Sequence, residues 1–351
     1  MTENIKYRTY GSNLIMGIRL CVWMMLCGQL SAQDAHLSQF SSSPMYLNAS
    51  LTGMYSGNYR AYLNYRTQWA AVGSKPWETF AVSYDRPYKR YGFGAFAMNN
   101  RAGAGGFNVL NFMLSGAYEI TDDPKMYNHM SVGLQLGFIH KYFNPDKYLF
   151  DNQYSLANGG GFTNTLPIGE TFNNTTVFLP EANIGVSYYN SNKMQKYSPY
   201  GGFSLFHITA PKETFLGLED NRLPRRFLAH GGMKYRVDEN WTLDPNFLFM
   251  RQKNVNEIHF GVLSYYNWTK ANSIRNKYGQ TETILISGLA YRNQDAVLIH
   301  LGLVHQGIQY RVSYDINTSS LNTVSNYRGG FELSIIYMSP KLRQMPSLEI
   351  D

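Results

Sequence analysis

From Tyr59 onward, apolar and polar residues alternate with a period of two, the mark of strands with two unlike faces. The first run carries Tyr59, Ala61, Leu63, Tyr65, Thr67 and Trp69 on one face, and Arg60, Tyr62, Asn64, Arg66 and Gln68 on the other. A loop ending in Pro76 leads into Trp77–Asp85, with Phe80, Val82 and Tyr84 on one side. Tyr91–Met98 follows, then a Gly-rich connection over Arg101–Phe107. Leu110, Phe112, Leu114, Gly116, Tyr118 and Ile120 alternate again, and a polar turn at 121–124 separates them from Met130, Val132, Leu134, Leu136 and Phe138. Further strands are predicted at 182–190, 199–209, 226–236, 241–251, 256–267, 282–293, 296–305, 307–316 and 328–338. That makes about fourteen, and single-chain bacterial outer-membrane barrels have even strand numbers.

The pattern predicts an all-β fold, a transmembrane antiparallel barrel over residues 59–338 of the outer membrane. Apolar groups would face lipid and polar groups a wet interior. Closure is required, because hydrocarbon offers no partner to an unpaired backbone amide or carbonyl. Residues 33–58 precede the barrel as an N-terminal segment, and 339–351 follow it as a periplasmic tail. Two connections are long and polar, 144–178 and 210–225. Such loops stand outside the cell or fold inward as plugs.

Composition strengthens this picture. Aromatics make up 15% of the chain, with 28 Tyr and 20 Phe, against 16% charged residues. Aromatic girdles at both membrane interfaces account for that balance. No apolar run approaches the roughly 18 residues of a spanning helix. At the N-terminus, Lys6, Arg8 and Arg19 precede the apolar run Leu20–Leu30, followed by Ser31-Ala32. This predicts a signal peptide over 1–32, cleaved after Ala32, with Met16 as an alternative start. Both cysteines, Cys21 and Cys27, fall inside it, so the mature chain would have no disulfide or thiolate site. Its loss lowers the formal charge of +7 by two. The remaining excess is spread along the chain, unlike a nucleic-acid patch.

Candidate chemistry is sparse. His207 with Pro211 fits no zinc spacing, since no second histidine lies four residues away. Arg225 and Arg226, with His230 and Lys234, place positive charge where a loop becomes a strand. These groups would contact an acidic partner or lipid phosphate, or pair inside the lumen with Glu219 or Asp220. Pro224 sets the start of that strand, and Gly231-Gly232 permits bending or close approach. No Gly-x-Ser-x-Gly elbow occurs, and Gly159-Gly160-Gly161 lacks the Lys-Ser/Thr of a phosphate loop. No cofactor is implied, and nothing specific supports an enzyme.

Several short motifs carry a resemblance. Gln39-Phe40, Pro44, Tyr46-Leu47-Asn48 and Gly53 open the mature chain, and Tyr65-Arg66-Thr67-Gln68-Trp69 follows. The long loop contains Leu149-Phe150-Asp151-Asn152-Gln153-Tyr154. Next come His207-Ile208-Thr209-Ala210-Pro211, Leu223-Pro224-Arg225-Arg226-Phe227 and His230-Gly231-Gly232. In order and spacing over 37–267 these resemble the PorP/SprF family of Bacteroidetes outer-membrane proteins, with a departure at Ala49–Thr52. The resemblance implies an accessory role in type IX secretion and gliding. It implies periplasmic ring lipoproteins of the PorK/PorN type and a peptidoglycan-linked lipoprotein as partners. A secreted adhesin with a C-terminal sorting domain would be the cargo. Three other readings remain open at this point: a small-molecule porin, an outer-membrane enzyme and a secreted soluble β-protein.

Overall fold

The computed structural model describes residues 34–71, 75–103, 106–121, 127–156, 160–163, 165–169, 172, 174–192, 194–215, 221–271 and 282–340. The expected signal peptide, with Cys21 and Cys27, lies outside the described residues, as do Glu219, Asp220 and most of the expected tail.

Fourteen antiparallel strands close into a barrel. They are β1 (Arg60–Gln68), β2 (Trp77–Tyr88), β3 (Tyr91–Ala102), β4 (Phe107–Glu119), β5 (Asn128–Tyr142), β8 (Thr176–Asn190), β9 (Tyr197–Phe206), β10 (Arg226–Arg236), β11 (Trp241–Gln252), β12 (Val255–Asn267), β13 (Thr283–Arg292), β14 (Ala296–His305), β15 (Ile308–Asn317) and β16 (Arg328–Met338). Two short strands, β6 (Tyr154–Ser155) and β7 (Gly161–Phe162), pair with each other in the long connection between β5 and β8. The barrel closes where β1 meets β16, in register from Arg60 opposite Met338 to Gln68 opposite Gly330. No described helix is long and apolar enough to cross a membrane.

The alternation sorts as the sequence predicts. On β1, Arg60, Tyr62, Asn64 and Arg66 are buried inward while Leu63 and Tyr65 face out. Phe80, Val82 and Tyr84 of β2, Phe203 of β9 and Leu301 of β14 are exposed on the outer wall. Large apolar side chains on the outside suit hydrocarbon, not water. Tyrosine and tryptophan gather at the rim where β1 begins and β16 ends, here called the chain-end rim. There Tyr59 packs 5.8 Å from Tyr84 and 5.7 Å from Tyr337, and Trp241 packs 4.9 Å from Tyr266. At the opposite, loop rim, Trp69 meets Trp77 edge-on at 4.8 Å. These rings mark the two membrane interfaces.

Several boundaries differ from the sequence reading: β2, β3 and β5 run on to Tyr88, Ala102 and Tyr142, β4 begins at Phe107, and β8 and β9 shift at one end each. Strand β8 begins at Thr176, earlier than 182, and carries Pro180 opposite Phe138. Proline lacks the ladder donor, but its carbonyl still accepts, and Thr209 Oγ1 donates to it at 2.8 Å. Strand β9 stops at Phe206 instead of 209, because His207 turns to a left-handed φ of 58°. The larger difference is inside, where the chain ahead of β1 packs against the inner wall. Residues 35–58 occupy the lumen.

Candidate functional site

The N-terminal segment has no two-residue period, and inside the barrel it cannot borrow a strand edge. It satisfies its backbone through short helical turns, Phe40–Ser42, Pro44–Leu47 and Ala49–Leu51. Pro44 opens the second turn, where its missing N–H costs nothing. Asn48 caps the third, its Oδ1 accepting from Ser50 N at 3.0 Å.

At the loop rim the segment is held by a buried charge cluster. Arg66 of β1 bridges Glu332 of β16 and Asp315 of β15, each at 2.9 Å, and Arg292 of β13 adds a third 2.9 Å bond to Asp315. Into this cluster the plug inserts Ser38. Its N–H donates to Glu332 at 2.7 Å and its hydroxyl to Asp315 at 2.7 Å. Gln39 donates from Nε2 to the Glu332 carbonyl at 2.9 Å and to Ser313 Oγ at 3.2 Å. Arg311 Nη1 reaches Ser42 Oγ at 2.7 Å. Buried guanidinium–carboxylate pairs persist only when their remaining lone pairs and protons are engaged, and the plug engages them. His36 lies beside the cluster, 3.4 Å from both Gln68 and Glu257. Burial first, and then the Arg292 and Arg66 charges, hold its pKa well below the usual imidazole range.

Midway, Asn48 donates to the Val186 carbonyl at 2.9 Å and lies 3.3 Å from His230 Nε2. Gln135 donates to the Met45 carbonyl at 2.8 Å and Ser131 to that of Ser50 at 2.9 Å. Two glycines make room. A Cβ on Gly133 would stand 2.3 Å from the Ala49 carbonyl carbon, and one on Gly185 would stand 1.9 Å from Asn48 Oδ1. Apolar plug residues divide between two arcs of the wall. Leu37, Met45 and Tyr46 pack with Tyr62, Phe96 and Met113, while Phe40 and Leu47 pack with Phe206, Leu228 and Leu248.

At the chain-end rim, Asp85 of β2 receives Arg60 Nη2 at 2.7 Å and the Gly53 N–H at 2.6 Å. Tyr55 stacks under Arg60, 4.4 Å from ring centre to guanidinium carbon, and donates to the Asp85 carbonyl. The segment therefore threads the barrel from one rim to the other before turning into β1.

The motif residues fall into two groups. Gln39, Pro44, Asn48, Gln68, Arg226 and His230 belong to the plug or the wall against it. Arg226 is buried with its guanidinium 4.2 Å over Phe206 and 5.3 Å over Tyr46, a cation–π stack. The others shape the loop rim. Trp69 ends β1 with φ 56°. Gln153, after Asp151 in a helical turn, donates to the Leu166 carbonyl at 3.3 Å. The His207 N–H donates to Glu181 at 2.9 Å, and its Nδ1 lies 2.8 Å from the same carboxylate. Pro211 accepts from Leu223 N at 3.0 Å, Leu223 packs on Ile139 and Leu179, and Pro224 accepts from Gln252. Gly231 abuts Phe247 on the outer wall. The basic trio does not form one surface: Arg225 is exposed, whereas Arg226 and His230 point inward.

Sequence reasoning did not single out Ser38, Asp85, Arg292, Asp315 or Glu332. Their signal was present as ionisable residues on inward strand positions, but pairing them requires the closed register. Among the described residues, no group of three or more His, Cys, Asp or Glu is placed to hold a metal.

Several solved structures are similar to the chain at low identity. The monoaromatic hydrocarbon channel CymD matches at TM-score 0.47 and 12% identity, over 85% of this chain and 92% of that one. The toluene transporter TodX of P. putida matches at TM-score 0.47 and 9% identity, over 84% and 93%. CdiB from Escherichia coli matches at TM-score 0.45 and 8% identity, over 80% and 63%. No curated protein is similar to the chain in sequence. The family described as type IX secretion system membrane protein PorP/SprF matches residues 29–337, nearly the whole chain. With its closed barrel and lipid-facing outer wall, this outer-membrane protein belongs to the PorP/SprF family of the type IX secretion system.

Proposed function

We propose that this barrel is a non-enzymatic docking or retention component of type IX secretion, serving one large sorting-domain adhesin or a small set of such cargoes. The filled lumen carries the reading: a barrel whose interior is tied to its own N-terminal segment is suited to present surfaces, not to pass solutes. By the usual rule of long loops outside and chain ends in the periplasm, the loops at 143–175 and 207–225 would meet cargo. The turns at the chain-end rim would meet periplasmic ring lipoproteins of the PorK/PorN type and a peptidoglycan-linked lipoprotein. Lipid would surround the apolar wall. Exposed Leu149, Tyr154, Leu156 and Phe162 give the outer loop an apolar face for a protein partner.

A clean gene deletion followed by quantitative proteomics of the cell surface and supernatant tests the reading. Loss of one or a few large sorting-domain proteins is the expected result, and loss of all of them would mark a core component instead. An unchanged secretome with altered solute uptake would overturn the reading in favour of a porin.

A further inference from the structure

Several guanidiniums are buried in the lumen, and the central carboxylates pair with two of them. Asp315 and Glu332 are engaged by Arg66 and Arg292. Arg311 is 2% exposed and makes no ion pair among the described residues; its bonds run to the hydroxyls of Ser41 and Ser42. Asp244, another acid of the lumen wall, accepts from the Tyr200 hydroxyl at 2.8 Å and feels the Arg311 charge without bonding to it. A buried cation whose direct hydrogen-bond partners are all neutral is costly.

A cavity of about 10 Å³ lies beside it, lined by Arg311, His259, His300, Asn246 and the plug residues Phe40 and Ser41. Its polar lining is short of partners. Arg311 Nε, both ring nitrogens of His259 and Nδ1 of His300 are buried without a hydrogen bond, and the two imidazoles are 1% and 4% exposed. Arg311 Nε can only donate, and each neutral imidazole supplies one further N–H. No carboxylate lines the space.

We propose that this cavity binds a single halide-sized anion, chloride in the cell, held by Arg311 with His259 and His300. The charge of Arg311, unpartnered buried nitrogens along the lining and the absence of a carboxylate from it point to an anion. The volume admits one water-sized particle and excludes an oxyanion as large as phosphate. Because Ser41 and Phe40 form one wall, the anion ties the plug to strands β12, β14 and β15.

The test uses the full barrel purified in detergent. Crystals soaked in bromide should show an anomalous peak in the cavity, within hydrogen-bond reach of Arg311. In solution, replacing sodium gluconate by sodium chloride at equal ionic strength should raise the unfolding midpoint, on the order of 3 °C at saturation. Arg311→Gln should abolish that difference. A cavity holding only water, bromide confined to the outer surface, or equal wild-type midpoints in the two salts would each overturn the proposal. The wild-type measurements decide it even if the variant fails to fold.

Discussion

A single added methyl group tests whether the plug is seated as described. Gly133 faces the Ala49 backbone so closely that a Cβ would lie 2.3 Å from it, and neither side is a flexible chain end. Gly133→Ala should therefore displace the middle of the plug while leaving β5 paired. Overpacking of this kind typically costs about 1–3 kcal/mol. The expected readout is faster proteolysis within residues 35–58, with the heat-dependent gel shift of the folded barrel retained. A second residue gives the plug a pH response. His36, its pKa depressed mainly by burial, stays neutral when folded but protonates near the ordinary imidazole value once released. The released state then binds more protons, so docking is fully favoured above about pH 6.5 and weakens as pH falls below it. Arg292, Arg66 and His259 disfavour the charged form, while Asp315 favours it. Glu257 stands 3.4 Å away. Plug proteolysis should rise on acidification from pH 7 to 5, and His36→Gln should flatten that rise. An unchanged slope in the variant would assign the acid response elsewhere.

Strands and plug were unequally legible. The spanning strands could be read one by one because lipid outside and polar groups inside impose a different residue type on each face. The exceptions were local: β8 begins at Thr176, ahead of Pro180, and the turn at His207 has no signal of its own. The plug was hidden for a physical reason. Its turns are short, its polar residues are ordinary, and its partners are distant, Ser38 and Glu332 being 294 residues apart. Gln39 and Asn48 stood out only through family resemblance, which marks positions without saying what they touch. As an element, the plug carries a direct prediction. The wild-type barrel should show no large single-channel steps in planar bilayers. Deleting residues 35–50, or pairing Asp315→Asn with Glu332→Gln, should produce them. Neutralising both acids leaves Arg66 buried without a counter-ion and Arg292 with Asp295 alone, the more damaging half of a broken ion pair. Closed traces from a folded deletion variant would mean that something besides the plug blocks the lumen.

At the scale of the molecule, the direction of threading matters most. His36 sits by Gln68, the last residue of β1, and by Glu257, near the start of β12, both at the loop rim. Asn58 bonds to Ser339 and Pro340 at the opposite rim. The plug's two ends therefore open on opposite sides of the membrane, and a segment that precedes the first strand reaches the rim of the long loops. If long loops face outward, Ala35 lies on the cell-surface side, beside the surface proposed to meet cargo. Cysteine labelling can read this without background, since Cys21 and Cys27 both lie in the expected signal peptide. Ala35→Cys should react with a membrane-impermeant maleimide in intact cells. Ser56→Cys, exposed at the chain-end rim, should react only after the outer membrane is permeabilised. The reverse pattern would invert the barrel in the membrane and move the proposed cargo surface to the chain-end turns. Labelling of both positions in intact cells would instead mean that the segment leaves the lumen in vivo, making it a removable gate.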